Sequence, residues 1–146
     1  VFVNAPMELP RTLLDDGTLA LAQLHGQEDE SYIRELKTYT DKLIIKAFSI
    51  KTAEDIEKAL QSPADYILLD QGGGGTGKTF DWSLIPEIQR PFFLAGGIGA
   101  SNLGQAIREI HPYAVDLSSS VETEKRKDPM KIRQVVDIVR EIRIIN

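Results

Sequence analysis

The chain has 146 residues, of which 42% are hydrophobic, and 17 Lys and Arg against 22 Asp and Glu give it a formal net charge of -5. This length and composition predict one globular unit, and the absence of a long basic stripe argues against nucleic acid as a partner. The chain has no cysteine, which excludes disulfides and thiolate sites within it, and no apolar run of membrane-spanning length. We expect a cytoplasmic protein with no membrane partner.

Apolar runs alternate with amphipathic segments along the first part of the chain. A short apolar run bounded by turn residues predicts a buried strand, whereas apolar residues spaced three and four apart predict a helix. Strands are predicted at 1–3, 19–24 and 43–48, and helices at 7–14, 28–39 and from residue 53 onward. Pro10 makes the first helix doubtful, and Thr52 is expected to cap the third. Lys46, inside an apolar strand, is costly to bury unless its ammonium reaches a partner or water. A partner in the protein interior is one alternative, but we expect the long stem to reach water and do not assign Lys46 to a site.

The same alternation continues through the second part of the chain. Strands are predicted at 66–69, 91–95 and 113–117, with a brief helix at 82–85 that Pro86 interrupts. Another helix begins at Ser101 and Asn102, and a long amphipathic helix closes the chain. Strands that alternate with helices predict a parallel sheet covered by helices.

Asp70 follows the strand at 66–69 directly and opens a glycine-rich loop. A carboxylate at the carboxyl end of a buried strand lies at the rim where α/β folds place their chemistry. Residues 72–79 also satisfy G-x-x-x-x-G-K-[ST], the phosphate-binding P-loop, which must open a helix at its Lys and Thr. Pro86 would fall in the third turn of that helix and argues against the nucleotide-binding alternative.

The residues around Asp70 resemble a known family. Leu68-Leu69-Asp70, then Gly74-Gly75-Thr76-Gly77-Lys78, then Phe80-Asp81-Trp82, resemble the equivalent stretch of the phosphoribosylanthranilate isomerases. Further matches follow the family's order and spacing over nearly the whole chain. They are Val1-Phe2-Val3-Asn4, Gln23-Leu24-His25-Gly26, Leu94-Ala95-Gly96-Gly97, Val115-Asp116-Leu117-Ser118-Ser119 and Val121-Glu122.

This resemblance implies an α/β fold, the (β/α)8 TIM barrel. Val1 to Asn4 match the third strand of the family, so the resemblance implies a truncated barrel with strands three to eight and without the first two βα units. Residues 1–146 would then form a single, partial barrel domain. The open edges of such a barrel predict a homo-oligomer, or association with the missing amino-terminal segment, with contacts at 1–3 and 114–117.

The reaction implied by the resemblance belongs to tryptophan biosynthesis. It is the Amadori rearrangement of N-(5-phosphoribosyl)anthranilate to 1-(2-carboxyphenylamino)-1-deoxyribulose 5-phosphate, with no cofactor and no metal. Asp70 matches the catalytic general acid. The substrate, a phosphorylated sugar joined to anthranilate, would be bound by Gln23, His25, Gly96, Gly97, Asp116, Ser118 and Ser119. Of these, the glycines and serines follow two consecutive strands, which is where barrel enzymes often bind phosphate.

Three departures from the family pattern qualify this expectation. The family's general base is a cysteine on the first strand, whereas this chain has no cysteine, so we expect it to have little or no activity alone. Ser120 stands where the family usually has Gly, and a positive φ there would strain a serine. The loop 123–128 lacks the usual Pro-Gly and is expected to be reshaped. A non-catalytic phosphate-binding barrel fragment is the other alternative.

Overall fold

A parallel five-stranded sheet forms the centre of the protein. The computed structural model describes residues 1–71 and 79–145. The strands are β1 (Leu21–Leu24), β2 (Leu43–Ser49), β3 (Tyr66–Asp70), β4 (Phe92–Leu94) and β5 (Ala114–Val115). They lie side by side in chain order, and every neighbouring pair is parallel. This confirms the predicted parallel sheet.

Five α-helices occur in the described residues: α1 (Glu8–Asp15), α2 (Glu30–Tyr39), α3 (Ala53–Leu60), α4 (Leu103–Ile110) and α5 (Pro129–Ile145). Pro10 lies in the first turn of α1, where a helix leaves its N–H groups unbonded, so it does not break the helix. Thr52 caps α3 in a capping box with Asp55, as predicted. None of the helices described in residues 1–71 and 79–145 is long and apolar enough to span a bilayer.

The two faces of the sheet have different neighbours because side chains alternate along a strand. On one face, Ala22, Leu24 and Ile44 pack with Leu14 of α1 and Leu36 of α2. The larger core on this face joins β3 and β4 to the later helices through Ile67, Leu69, Phe92, Leu94, Ile56, Leu103, Ala106 and Val135. The opposite face, here called the inner face, carries a smaller cluster of Ile45, Ala47, Leu68 and Ala95 with Tyr66 and Phe93.

Several predicted elements are shorter than their apolar runs. Instead of a strand at 1–3, the structure has a single parallel bridge, in which Phe2 N–H donates to Gln23 O and His25 N–H donates to Phe2 O, both at 2.8 Å. Asn4, with φ of 52°, ends this pairing. Likewise the predicted helix at 82–85 is a 3₁₀ turn, Trp82–Leu84. The bridge nevertheless places Phe2 outside β1, as the outermost paired residue of the sheet.

The segment between β5 and α5 is a small hairpin. A 3₁₀ turn, Ser119–Val121, leads into β6 (Glu122–Thr123), which pairs antiparallel with β7 (Arg126–Lys127). Glu124 and Lys125 form the connection with φ of 52° and 63°. Two successive left-handed residues are typical of the tight turn that matches strand twist. The hairpin covers most of the segment 123–128, where a reshaped loop is expected from the sequence.

Candidate active site

The carboxyl ends of the strands surround a cavity of about 620 Å³. Parallel strands present their carboxyl ends at one edge of a sheet, so residues that follow different strands meet there. Seven of the eight predicted site residues line this cavity: His25, Asp70, Gly96, Gly97, Asp116, Ser118 and Ser119. The eighth, Gln23, adjoins it through a contact with His25.

Gln23, His25 and Asp70 form a chain of side-chain contacts at this rim. His25 Nδ1 lies 2.9 Å from Gln23 Oε1, and His25 Nε2 lies 3.3 Å from Asp70 Oδ2. The side chains of His25 and Asp70 are 33% and 18% exposed, so both can reach a ligand in the cavity. This arrangement brings together residues that are 45 positions apart in the sequence.

The loop after β4 is held close to Asp70. Gly96 has φ of 81°, and a Cβ there would lie 2.5 Å from Asp70 Oδ1, so only glycine fits. Asn102 then ties the loop to the start of α4, because its Oδ1 accepts the Gly99 N–H at 2.9 Å and its Nδ2 donates to Gly97 O at 3.1 Å. The amino-terminal end of α4, which carries a partial positive charge, thereby adjoins the glycine loop.

The loop after β5 forms another wall of the cavity. Asp116 N–H donates to Leu94 O at 2.9 Å, which fixes the point where the chain leaves the sheet. Ser120 does not have a positive φ, so the strain considered from the sequence does not occur. Lys127 of β7 donates to Ser118 O at 3.0 Å and joins the hairpin to this wall.

Residues 25–29 connect β1 to α2 and are here called the His25 loop. A buried ion pair beneath this loop was missed from the sequence. Lys46 and Glu28 lie 3.1 Å apart with side chains 6% and 1% exposed, so the expectation that Lys46 reaches water is wrong. Glu28 also accepts the N–H groups of Asn4 at 2.6 Å and Gly26 at 2.9 Å, and Lys46 donates to Gly26 O at 2.6 Å. A lysine within an apolar run was the available signal, but nothing local identified Glu28 as its partner.

These contacts control the ionisation of Glu28. Burial alone would raise the pKa of the Glu28 carboxyl, because a charge is costly away from water. Backbone N–H groups, including that of Asn4, and the Lys46 ammonium act in the opposite direction and hold the pKa below its ordinary value. Glu28 is thus a carboxylate that joins the bridge at Phe2, the His25 loop and β2.

The P-loop alternative concerns residues 72–79, of which 72–78 lie outside the described residues. Thr79, Phe80 and Asp81 are not helical, and the next element is the 3₁₀ turn at Trp82–Leu84. A P-loop requires a helix beginning at its Lys and Thr. The described residues after the loop therefore do not favour that alternative.

Comparison with known proteins gives a consistent result. The family model described as N-(5'phosphoribosyl)anthranilate (PRA) isomerase matches residues 1–138. An N-(5'-phosphoribosyl)anthranilate isomerase of Endomicrobium trichonymphae is 44% identical over 146 residues, which cover 97% of this chain and 72% of that protein. The corresponding protein of Thermoanaerobacter sp. strain X514 is 40% identical over 149 residues, covering 98% of this chain and 72% of that protein.

Solved structures of the same enzyme share the fold. The phosphoribosyl anthranilate isomerase of Thermotoga maritima has a TM-score of 0.81 at 35% identity, over 96% of this chain and 71% of that one. A phosphoribosyl anthranilate isomerase in complex with reduced 1-(o-carboxyphenylamino)-1-deoxyribulose 5-phosphate has a TM-score of 0.78 at 33% identity, over 96% and 69% of the two chains.

Proposed function

The chain belongs to the family of N-(5'-phosphoribosyl)anthranilate isomerases of tryptophan biosynthesis, and from this premise we propose that the cavity at the strand ends is its isomerase site. The observation that carries the proposal is that Asp70 lines the same cavity as the glycine loop after β4 and the serine loop after β5. A phosphorylated sugar needs a wall that binds its phosphate, and its isomerisation needs an acid. The proposed substrate is N-(5-phosphoribosyl)anthranilate.

Asp70 is the proposed general acid. It gives its proton to the ribose ring oxygen as the bond between that oxygen and C1 breaks, which opens the ring. A general base then removes the proton from C2, and the resulting enolamine tautomerises to the ketone of the product. The resemblance implies a cysteine as this base, and the chain contains none. Positioned acids and bases each contribute about 10² to 10⁴ in rate, so we propose that the chain alone turns over slowly.

The phosphate is proposed to bind between the two loops. Gly96 and Gly97 have φ of 81° and 69°, which lets the backbone approach an anion closely, and the start of α4 adds its favourable dipole. Ser118 and Ser119 supply hydroxyl donors on the facing wall. Asp116, on the same side of the cavity, is proposed to position hydroxyl groups of the sugar, and Gln23 and His25 to contact the substrate from the β1 side.

At the scale of the fold, we propose that the sheet is an arc of a (β/α)8 barrel. The bridge at Phe2 and strands β1 to β5 would correspond to strands three to eight, and residues 1–146 to one partial domain. The similarity in fold to phosphoribosyl anthranilate isomerases and the side-by-side arrangement of the strands in chain order support this. A homo-oligomer, or association with an amino-terminal segment, and a cytoplasmic location belong to the same proposal.

The test combines binding with a single-turnover assay at high protein concentration. The reduced product analogue should bind, and Asp70→Asn should lower turnover by about 10² or more while changing analogue affinity by only a few fold. The matched control is Asp137→Asn, at an exposed position of α5, which should change neither turnover nor analogue affinity. Unchanged turnover in Asp70→Asn would refute the assignment of Asp70 as the general acid. Magnesium-dependent binding of ATP, without binding of the analogue, would support the P-loop alternative.

The rate of the unaltered chain tests the role of the missing cysteine. Analogue binding together with turnover that is slow but measurable in the single-turnover assay would support a site that keeps its acid and phosphate loops and lacks its base. Turnover at a rate typical of enzymes, about 1 to 10³ s⁻¹, would show that this chain uses a base other than cysteine.

A further inference from the structure

Strand periodicity places Gln23 and His25 on the same face of the sheet. Ala22 and Leu24 are buried in the core on the helix-covered face. Gln23 and His25 alternate with them and therefore point to the inner face, one above the other. Two residues that share a face at this spacing can hold a side-chain contact with little freedom, and the 2.9 Å distance from Gln23 Oε1 to His25 Nδ1 is such a contact.

His25 must cross β2 to reach Asp70, because β2 lies between β1 and β3. Leu24 pairs with Lys46, so His25 is level with Ala47, the residue that follows in register. Ala47 is buried on the inner face beside Leu68. Its methyl side chain leaves room for the imidazole to pass over it, which a larger residue would block. The small side chain of Ala47 is thus the one that β2 places on the inner face between the strands of His25 and Asp70.

The two contacts of the imidazole limit where its protons lie. A carbonyl oxygen such as Gln23 Oε1 can only accept, so it requires a proton on Nδ1. In a neutral imidazole, Nε2 is then the acceptor, and it faces Asp70 Oδ2 at 3.3 Å. A carboxylate is also only an acceptor, so the two atoms attract only when one proton lies between them. That proton belongs either to a carboxylic acid that donates to Nε2 or to an imidazolium that donates to the carboxylate.

We propose that Gln23 is a positioning residue that keeps Nδ1 of His25 protonated, so that His25 Nε2 and Asp70 hold one shared proton at the edge of the cavity. The proposal rests on the proposed function of Asp70 as the general acid. Transfer of the shared proton to the ribose ring oxygen leaves a carboxylate on Asp70 and a neutral His25 still bonded to Gln23. The histidine thus needs no change of tautomer during the transfer.

The test measures which imidazole nitrogens of His25 are protonated, by nitrogen-15 NMR of the full chain. Only two histidines are present, His25 and His111, and His111 at the end of α4 serves as the internal reference. We expect the spectrum of His25 to show a proton on Nδ1. In Gln23→Leu the acceptor is removed, and the neutral ring should convert to the form with the proton on Nε2, which can donate to an ionised Asp70.

Two further variants separate this role from a general effect on folding. Gln23→Glu keeps an acceptor oxygen in place and should keep Nδ1 protonated. Gln27→Leu, at an exposed position of the same loop, should leave the His25 spectrum unchanged. An unprotonated Nδ1 in the native chain would overturn the proposal, and so would a protonated, unchanged Nδ1 in Gln23→Leu with the His111 signals of a folded chain.

This measurement is independent of turnover. If Nδ1 is protonated as expected but Asp70→Asn keeps full single-turnover activity, then the role of Asp70 as the acid fails and the positioning of His25 by Gln23 stands. If Asp70→Asn is inactive and Nδ1 is unprotonated, the acid is correct and the shared proton is wrong.

Discussion

Single residues determine the position of the His25 loop in this site. Glu28 accepts backbone N–H groups from both sides of the Phe2 bridge, and Lys46 supplies the compensating charge from β2. Because both side chains are buried, removing one would leave the other without a partner away from water. Only two residues separate His25 from Glu28, so the ion pair fixes the loop that carries His25 into the site.

Lys46→Met should destabilise the fold strongly. Breaking a buried ion pair by removing one partner typically costs about 3 to 5 kcal/mol, measured here by urea denaturation. The double variant Glu28→Gln with Lys46→Met should recover part of this loss, because no unpaired charge remains. Lys37→Met is the matched control, since the Lys37–Asp65 pair is 34% and 27% exposed and such pairs contribute about 1 kcal/mol or less. Equal losses in the two lysine variants would contradict the buried role.

The lowered pKa of Glu28 predicts a change in stability with pH. The folded state binds the Glu28 proton more weakly than the unfolded chain does, whose glutamate pKa is about 4.3. The carboxylate therefore contributes its full stabilisation above about pH 4.3 and loses it as pH falls through the folded-state pKa. Native protein and Glu28→Gln should differ most near neutrality and converge on acidification. A difference in unfolding free energy that stays constant from neutral to acidic pH would rule this out.

At the scale of elements, the start of α4 organises the wall of the cavity that is proposed to bind phosphate. Asn102 bonds to the backbone of Gly97 and Gly99, so the loop is attached to the helix through one side chain. The glycines that allow a close approach to an anion also give the loop freedom that must be removed before it can bind. A side chain that restrains such a loop in advance raises affinity without touching the ligand.

Asn102→Ala should weaken binding of the reduced product analogue. Loss of two hydrogen bonds of about 0.5 to 1.5 kcal/mol each predicts an affinity lower by roughly 5- to 150-fold in calorimetric titration. Gln105→Ala changes the same helix on its exposed side, where Gln105 bonds only Glu109 among the described contacts, and should bind normally. Native affinity in Asn102→Ala would mean that the loop holds its shape without this restraint.

At the scale of the whole molecule, the sheet has two outer edges. Among the described residues, the segment at each edge pairs with a neighbour on one side only. One is at Phe2, flanked by Val1 and Val3, which are 81% and 64% exposed. The other is at β5, preceded by Tyr113, which is 61% exposed. Unpaired backbone groups beside exposed apolar side chains favour pairing with another chain.

We therefore expect the chain to associate, with the weight-average mass in sedimentation equilibrium rising with concentration. Val3→Lys should shift the equilibrium toward monomer, because a charge on a sheet edge opposes further pairing. Leu9→Lys, at a residue of α1 that is 50% exposed, should have no such effect. A native chain that remains a monomer at high concentration would contradict this expectation.

The sequence by itself determined the kinds of elements and the residues at the strand ends. Apolar runs and helical stripes are local patterns, so β1 to β5, the five helices and the Thr52 cap follow from short segments. Because a strand end is visible in the sequence, so is the residue after it, and Asp70 was predicted in this way. The site roles of His25, Gly96 and Asp116 came from the resemblance to the isomerase family. All four line one cavity.

Only the tertiary structure decided which of these residues touch. The contact of His25 with Asp70 depends on strand order and on register, and neither is encoded within a single strand. The Glu28–Lys46 pair joins a loop to a strand 18 positions away. Likewise, Ser120 lies in the 3₁₀ turn Ser119–Val121 and has no positive φ. Local periodicity depends on adjacent residues, whereas contacts between strands depend on the packing of the whole sheet.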